Sequence, residues 1–341
     1  MKILLGMSGG VDSCAAVRVL QNEGHEVVGC CLLMTEHAHE NSESTLRAKQ
    51  AAAKSGIELI IHDCREAFRQ FVVEPFAEAY RHGRTPNPCV ECNPAVKIAA
   101  LCKAADSLGI YAVATGHYAK IDRTQKAKLC CADSPKDQTY FLYRLSPEQL
   151  DRLYFPLGSF TDKAQVRALA EQAGFTAADA RDSQEICFLP DGDYTRYLTE
   201  QLGITAKPGA FLDLAGNVIG EHKGIIHYTA GQRKGLGAFG KPMYVKSICP
   251  SDNTVTLCAA DERFSDTAQA ENLTWCSGQA PSDHFTAQVK IRSTAKAAPC
   301  EITIADGIAQ LRFETPQLSP SRGQSAVFYD GNVVLGGGYI V

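Results

Sequence analysis

The chain has 341 residues, enough at about 100–200 residues per domain for two or three complete cores. Apolar residues make up 45% and charged residues 21%, values that exclude wholesale disorder. The net charge of −4 excludes a global basic field, and no apolar run reaches the ~20 residues a membrane span needs. The opening apolar stretch is too short for a signal peptide, so the expected compartment is the cytoplasm, with no membrane partner. In that setting the 14 cysteines read as thiols, metal ligands or catalytic groups rather than disulfides.

In chain order, Lys2–Gly6 reads as a strand, Ser8–Ser13 as a glycine-rich turn, and about Cys14–Glu23 as a helix stopped by Gly24. A strand at Glu26–Leu33 follows, then a polar break at Thr35–Ser44, a helix at Thr45–Ser55 ended by Gly56, and a strand at Ile57–His62. A helix is expected over Cys64–His82, a proline-stiffened loop through Arg84–Pro88, a helix over Val96–Leu108 and a strand at Tyr111–Thr115. Strands alternating with helices imply an α/β domain with a doubly wound parallel sheet, whose ligands bind beyond the carboxyl ends of the strands. After about residue 195 the pattern changes to short alternating runs separated by turns such as Ala215-Gly216-Asn217 and Asp330-Gly331-Asn332. These runs are Phe211–Leu214, Tyr244–Cys249, Thr254–Cys258, Ala287–Arg292, Ile302–Ile304, Gln310–Phe313, Ser325–Tyr329 and Val333–Leu335, and they read as antiparallel β-structure.

Three motifs carry chemistry. Ser8-Gly9-Gly10-Val11-Asp12-Ser13 lies between a strand and a helix, where glycines admit an anion and the helix start offers unpaired N–H groups. It lacks the lysine of the common P-loop. Thr85-Pro86-Asn87-Pro88-Cys89-Val90-Glu91-Cys92-Asn93 ends a stiff loop in Cys-x-x-Cys, which alone suits a zinc half-site or a redox pair. Asp182-Ser183-Gln184-Glu185-Ile186-Cys187-Phe188 holds a further cysteine, which taken alone reads as a buried core residue.

The first motif resembles the pyrophosphatase loop of the N-type ATP pyrophosphatases. Together with Thr115-Gly116-His117-Tyr118-Ala119, Asp137–Leu142 and Gly231–Gly237, the motifs resemble the tRNA-specific 2-thiouridylase family over essentially the whole chain. The resemblance implies an ATP pyrophosphatase domain at 1–195 with a small helical insertion near 155–176. It also implies a central domain at 196–264 that contacts tRNA and a C-terminal antiparallel β-barrel at 265–341. The implied reaction adenylates the carbon-2 oxygen of the wobble uridine and replaces it with sulfur, releasing AMP and pyrophosphate.

By motif, Gly6, Met7, Ser8, Gly9, Gly10, Val11, Asp12, Ser13, Met34 and Gly116 would bind ATP, with Asp12 helping to hold Mg2+. Asn87, Pro88 and Cys89 would meet the target base; His117, Asp137, Gln138, Thr139, Arg292, Ser293 and Gln324 would touch tRNA. Ser293 departs from the tyrosine often found there in the family. Cys92 takes the position of the nucleophile and Cys187 that of the persulfide carrier, with a transient disulfide between them. Arg233, Lys234, Lys241 and Lys290 are candidate phosphate contacts. The implied partners are the anticodon arm of tRNA (lysine, glutamate and glutamine acceptors) and a cysteine desulfurase or sulfur-carrier protein.

Two sulfur chemistries stay open on these residues. One is the persulfide relay; the other is an iron–sulfur cluster held by Cys89, Cys92 and Cys187. Two other functions share the loop: a lysidine synthetase-like ligase, which needs no cysteine pair, and a non-catalytic tRNA-binding protein.

Overall fold

The structure is a computed structural model that describes residues 1–172, 186–189 and 191–341. Four parallel strands, β1 (Lys2–Gly6), β2 (Glu26–Leu33), β3 (Leu59–Asp63) and β4 (Ala112–Ala114), are joined by the short β7 (Leu153–Tyr154) in the order β3-β2-β1-β4-β7. Helix α1 (Val11–Asn22) packs Ala15, Ala16 and Leu20 on one face of this sheet, together with Val166 and Ala170 of the helix Lys163–Gln172. Leu101, Ala104 and Ala105 of the helix Ala99–Ser107 cover the other face. The sheet is thus parallel and doubly wound, as the alternation of elements implies. Helix α2 (Glu43–Ser55) ends at Gly56 in the left-handed region, a conformation that glycine adopts without steric cost.

One expectation changes in a way that matters for chemistry. The Cys-x-x-Cys segment is not the end of a loop; it is the first turn of a helix, Pro88–Cys92, which runs through a π turn at Asn93–Ile98 into Ala99–Ser107. Asn87 is the N-cap, its side-chain oxygen accepting from the Cys89 N–H at 3.2 Å, and Pro88 takes the first helical position, where its missing N–H costs nothing. The prolines that suggested a loop mark a helix start.

The central strands β8 (Gly209–Leu212), β9 (Val218–His222), β10 (Tyr244–Cys249) and β11 (Thr254–Cys258) form a sheet in the order β10-β11-β8-β9 around Phe211, Val245 and Leu257. Six antiparallel strands then close a barrel: β12 (Phe264–Trp275), β13 (His284–Lys290), β14 (Ala298–Ala305), β15 (Ile308–Leu318), β16 (Ser325–Asp330) and β17 (Val333–Ile340). Closure comes from β12 pairing with both β15 and β17. The barrel does not stand apart. A hairpin of the first domain, β5 (Lys120–Asp122) and β6 (Lys128–Cys130), continues its sheet through the pairing of Val333 with Cys130. Val327, Tyr329 and Val334 of the barrel share one core with Leu4, Val90, Tyr140 and Tyr143. No described helix is long and apolar enough to cross a membrane.

Candidate active site

The glycine-rich loop leaves β1 at its carboxyl end. Gly9 has a φ of 73°, and a Cβ there would lie 2.7 Å from the Ala48 backbone nitrogen, so only glycine lets the loop seat on α2. Gly10 is the N-cap of α1 and supplies no side chain to satisfy the first N–H groups. These donors, at the positive end of the helix dipole, suit a phosphate. Ser13 turns its hydroxyl back onto the Gly10 carbonyl at 2.9 Å, while Ser8 is exposed. Asp12 accepts from the Tyr118 hydroxyl at 2.9 Å. Met7 is buried, with its N–H donating to the Cys30 carbonyl of β2 at 2.8 Å; Gly6 and Val11 are half-buried.

Two lysines complete this end of the sheet. The Lys163 ammonium is pushed down to about 8, by burial first and then by Lys136 beside it, with Asp12 acting in the opposite sense. Two ammonium groups held close, next to open helix N–H groups, fit the polyanionic tail of ATP. A single carboxylate, Asp12, fits Mg2+ carried on the phosphates, since that ion keeps most of its ligands from water and phosphate.

The sulfur centre lies across the same sheet end. Met34, just after β2, packs half-buried in a cluster with Cys64, Cys92 and Val96. Cys92 is 4% exposed, Cys89 is half-buried and Cys187 is exposed. Phe188 sets the position of Cys187 by inserting edge-on between Phe68 and Phe76, with ring centroids 5.6 and 5.2 Å away. Asp182, Ser183, Gln184 and Glu185 lie outside the described residues. Burial pushes the Cys92 thiol up to about 12; Cys187, Cys89 and Cys64 act the same way, and Lys97 opposes them. The Cys187 thiol is also raised, by desolvation, and Lys97 again opposes. Burial acts to lower the Lys97 ammonium, yet Cys92, Cys89 and Cys187 together hold it above its ordinary value.

The π turn accounts for Lys97. Five α-helical steps would rotate it about 140° from Cys92. The i to i+5 bonding of a π turn brings the fifth residue back toward the same face, and such turns recur at functional sites. His117 lies within the field of Lys97 as well, its Nδ1 hydrogen-bonded to the Thr115 hydroxyl at 2.7 Å. Among the described residues, no group of three or more His, Cys, Asp or Glu side chains is arranged to hold a metal ion. Cys89, Cys92 and Cys187 lie within one another's field, with Lys97 beside all three.

The residues expected at tRNA are mostly committed to the protein itself. Asp137 accepts from the Ala132 N–H at 2.9 Å and from the Thr139 hydroxyl at 2.6 Å. Gln138 exchanges two hydrogen bonds with the Tyr118 backbone. Arg292 donates through Nη2 to the carbonyls of Ala230 and Ser319 and to the Ser321 hydroxyl, joining the central domain to the barrel. Gln324 donates to the Thr85 carbonyl at 2.8 Å, whereas Ser293 is exposed. Sequence reasoning missed Lys97, Lys136 and Lys163. Lone lysines carry no local signature, although a lysine five residues beyond Cys-x-x-Cys was there to be noticed.

A nucleotide-type α/β domain whose phosphate loop shares a sheet end with two cysteine motifs, followed by a small β-domain and a barrel, defines an ATP-dependent, thiol-bearing modifying enzyme. Three domain families match the chain in sequence: the tRNA methyl transferase HUP domain over residues 1–191, the tRNA methyl transferase PRC-barrel domain over 196–259 and the aminomethyltransferase beta-barrel domain over 265–340. The tRNA-specific 2-thiouridylase of Acetivibrio thermocellus is 42% identical, covering 99% of each chain. Those of Roseiflexus castenholzii, at 41%, and Acidithiobacillus ferrooxidans, at 39%, are similar over 99% of this chain and 99% and 98% of theirs. The chain belongs to the tRNA-specific 2-thiouridylase family.

Proposed function

We propose that this enzyme replaces the carbon-2 oxygen of the wobble uridine of tRNA with sulfur, using ATP. The observation that carries the reading is the buried Cys92 thiol beside the exposed Cys187, both within the field of Lys97, at the sheet end that also bears the phosphate loop.

A uracil carbonyl oxygen is a poor leaving group. Gly6–Ser13, Met34 and Gly116 hold ATP so that the oxygen attacks its α-phosphorus; pyrophosphate leaves toward Lys136 and Lys163, and carbon 2 now carries AMP as its leaving group. When bound, Mg2+ at Asp12 neutralises phosphate charge. Cys187, which solvent reaches, receives a persulfide from a cysteine desulfurase or sulfur carrier. Cys92 as thiolate attacks the Cys187 sulfur, a Cys92–Cys187 disulfide forms, and hydrosulfide is expelled. Hydrosulfide adds at carbon 2 and AMP departs; an external thiol then reduces the disulfide. Asn87, Pro88 and Cys89 border the base, which leaves the stack cheaply in a single-stranded loop. His117, Asp137, Gln138, Arg292 and Ser293 line the approach of the anticodon arm, with Thr139 buried behind them and Gln324 engaged on the Thr85 carbonyl, and the compartment is the cytoplasm.

The test is nucleoside mass analysis of tRNA incubated with enzyme, ATP and a persulfide donor. We expect 2-thiouridine together with AMP and pyrophosphate. ADP and phosphate, or unmodified uridine, would overturn the reading.

A further inference from the structure

The Cys-x-x-Cys helix start is held from outside its own domain. Glu91, between the two cysteines, receives a hydrogen bond from the Tyr339 hydroxyl on β17 and an ion pair from Arg144 at 3.3 Å. Arg144 in turn donates to the Asn272 carbonyl of β12 at 3.1 Å and lies over the Tyr339 ring at 4.9 Å. Upstream, before the helix begins, the Thr85 N–H donates to the Arg322 carbonyl at 2.7 Å, and the Thr85 carbonyl accepts from the Gln324 amide. Gly323, at a φ of 87°, admits this approach: a Cβ there would lie 2.9 Å from the Arg84 Cβ. Arg84 itself pairs with Glu271 of β12 at 3.4 Å. Strands β12 and β17 and the turn before β16 therefore grip both ends of the segment from Arg84 to Glu91. The phosphate loop makes none of these contacts.

We propose that the C-terminal barrel is part of the catalytic apparatus, with Tyr339 and Gln324 as positioning residues that set Cys89 and Cys92 through Glu91 and Thr85. This rests on the reading of Cys92 as the reacting thiol. Because the grip touches only the sulfur side, loosening it uncouples the half-reactions: the base is still adenylated, and sulfur arrives late. Water then has time to discharge the adenylate, returning uridine and AMP.

The experiment compares Tyr339→Phe and Gln324→Ala with the parent enzyme, measuring AMP and 2-thiouridine in the same reactions. We expect thiolation kcat to fall about ten- to a hundredfold, as small misplacements of reacting groups do, with KM for tRNA nearly unchanged and AMP outrunning 2-thiouridine. Glu91→Gln combined with Tyr339→Phe should cost no more than the worse single change, since both loosen one contact. A rise in KM for tRNA at unchanged kcat would make these residues tRNA contacts and overturn the proposal. So would AMP and 2-thiouridine remaining in step. Failure of the underlying reading looks different: Cys92→Ser would then still thiolate with the barrel contacts intact.

Discussion

Gly116 lies against the backbone of Asp12: a Cβ on Gly116 would stand 3.1 Å from the Asp12 carbonyl carbon and 3.2 Å from the Ser13 nitrogen. The loop after β4 therefore sets where the start of α1 sits, and with it the N–H groups that we propose face phosphate. Gly116→Ala should push the loop aside by a few tenths of an ångström. We expect AMP formation to slow by about ten- to a hundredfold while tRNA binding is retained. Unchanged AMP release would show that the contact does not matter.

Cys92→Ser and Cys187→Ser should each abolish thiolation while tRNA-dependent AMP transfer survives, because the phosphate side of the site keeps all its groups. Cys89→Ser should retain much of the activity. Iron-free protein should thiolate tRNA when supplied with persulfide. Activity that tracks iron content, or loss of iron and activity together in Cys89→Ser, would favour the cluster instead.

Lys97 opposes the burial that pushes the Cys92 thiol up to about 12. A raised thiol gains its reactive form only as pH rises, so alkylation of Cys92 in the free enzyme should accelerate throughout the neutral to alkaline range. Lys97→Met removes the opposing charge, and its alkylation profile should move to higher pH. A profile identical to that of the parent enzyme would remove Lys97 from the thiol's surroundings.

His117 supplies a pH dependence of stability. Burial, with Lys97 adding repulsion, pushes its imidazole down to about 3, against an ordinary 6.5 in the unfolded chain. Below the unfolded value the unfolded chain binds a proton that the folded chain refuses, so this contribution is complete above 6.5 and is lost as pH falls toward about 3. The melting temperature should therefore drop between about pH 7 and about pH 5, and His117→Gln should flatten that drop. Equal slopes in both proteins would count against it.

Much of the fold was legible because its strands obey simple patterns. Glu26–Leu33, Tyr244–Cys249 and Thr254–Cys258 are apolar or alternating runs, and the structure returns them with the same bounds. β12 was missed since Ser265, Asp266, Thr267, Gln269 and Glu271 dilute its alternation, and a bulge between Glu271 and Thr274, with Asn272 at a φ of 52°, breaks its period. β9 was missed too, being short and half-exposed. The cysteine motifs were legible as spacing, but their geometry was not: a capped helix start and a π turn come from hydrogen bonds that no composition rule reports. Nor could the sequence tell that Arg292 and Gln324 bind the chain's own carbonyls, because that depends on segments far apart in sequence.

The pairing of Val333 with Cys130 has a consequence for synthesis. The hairpin β5–β6 is made early, yet the strand that flanks it, and the tyrosine that reaches Glu91, are synthesised much later than the hairpin and the cysteine helix. Until then Leu4, Tyr140 and Tyr143 lack the barrel side chains that complete their core, and such unfinished apolar surface invites association. A message cut short before β17 would yield a protein with every motif of the first domain and a cysteine helix held at one end only. Synthesis of β17 is in this sense the step that would arm the proposed sulfur chemistry, and a copy ended before it would be disarmed.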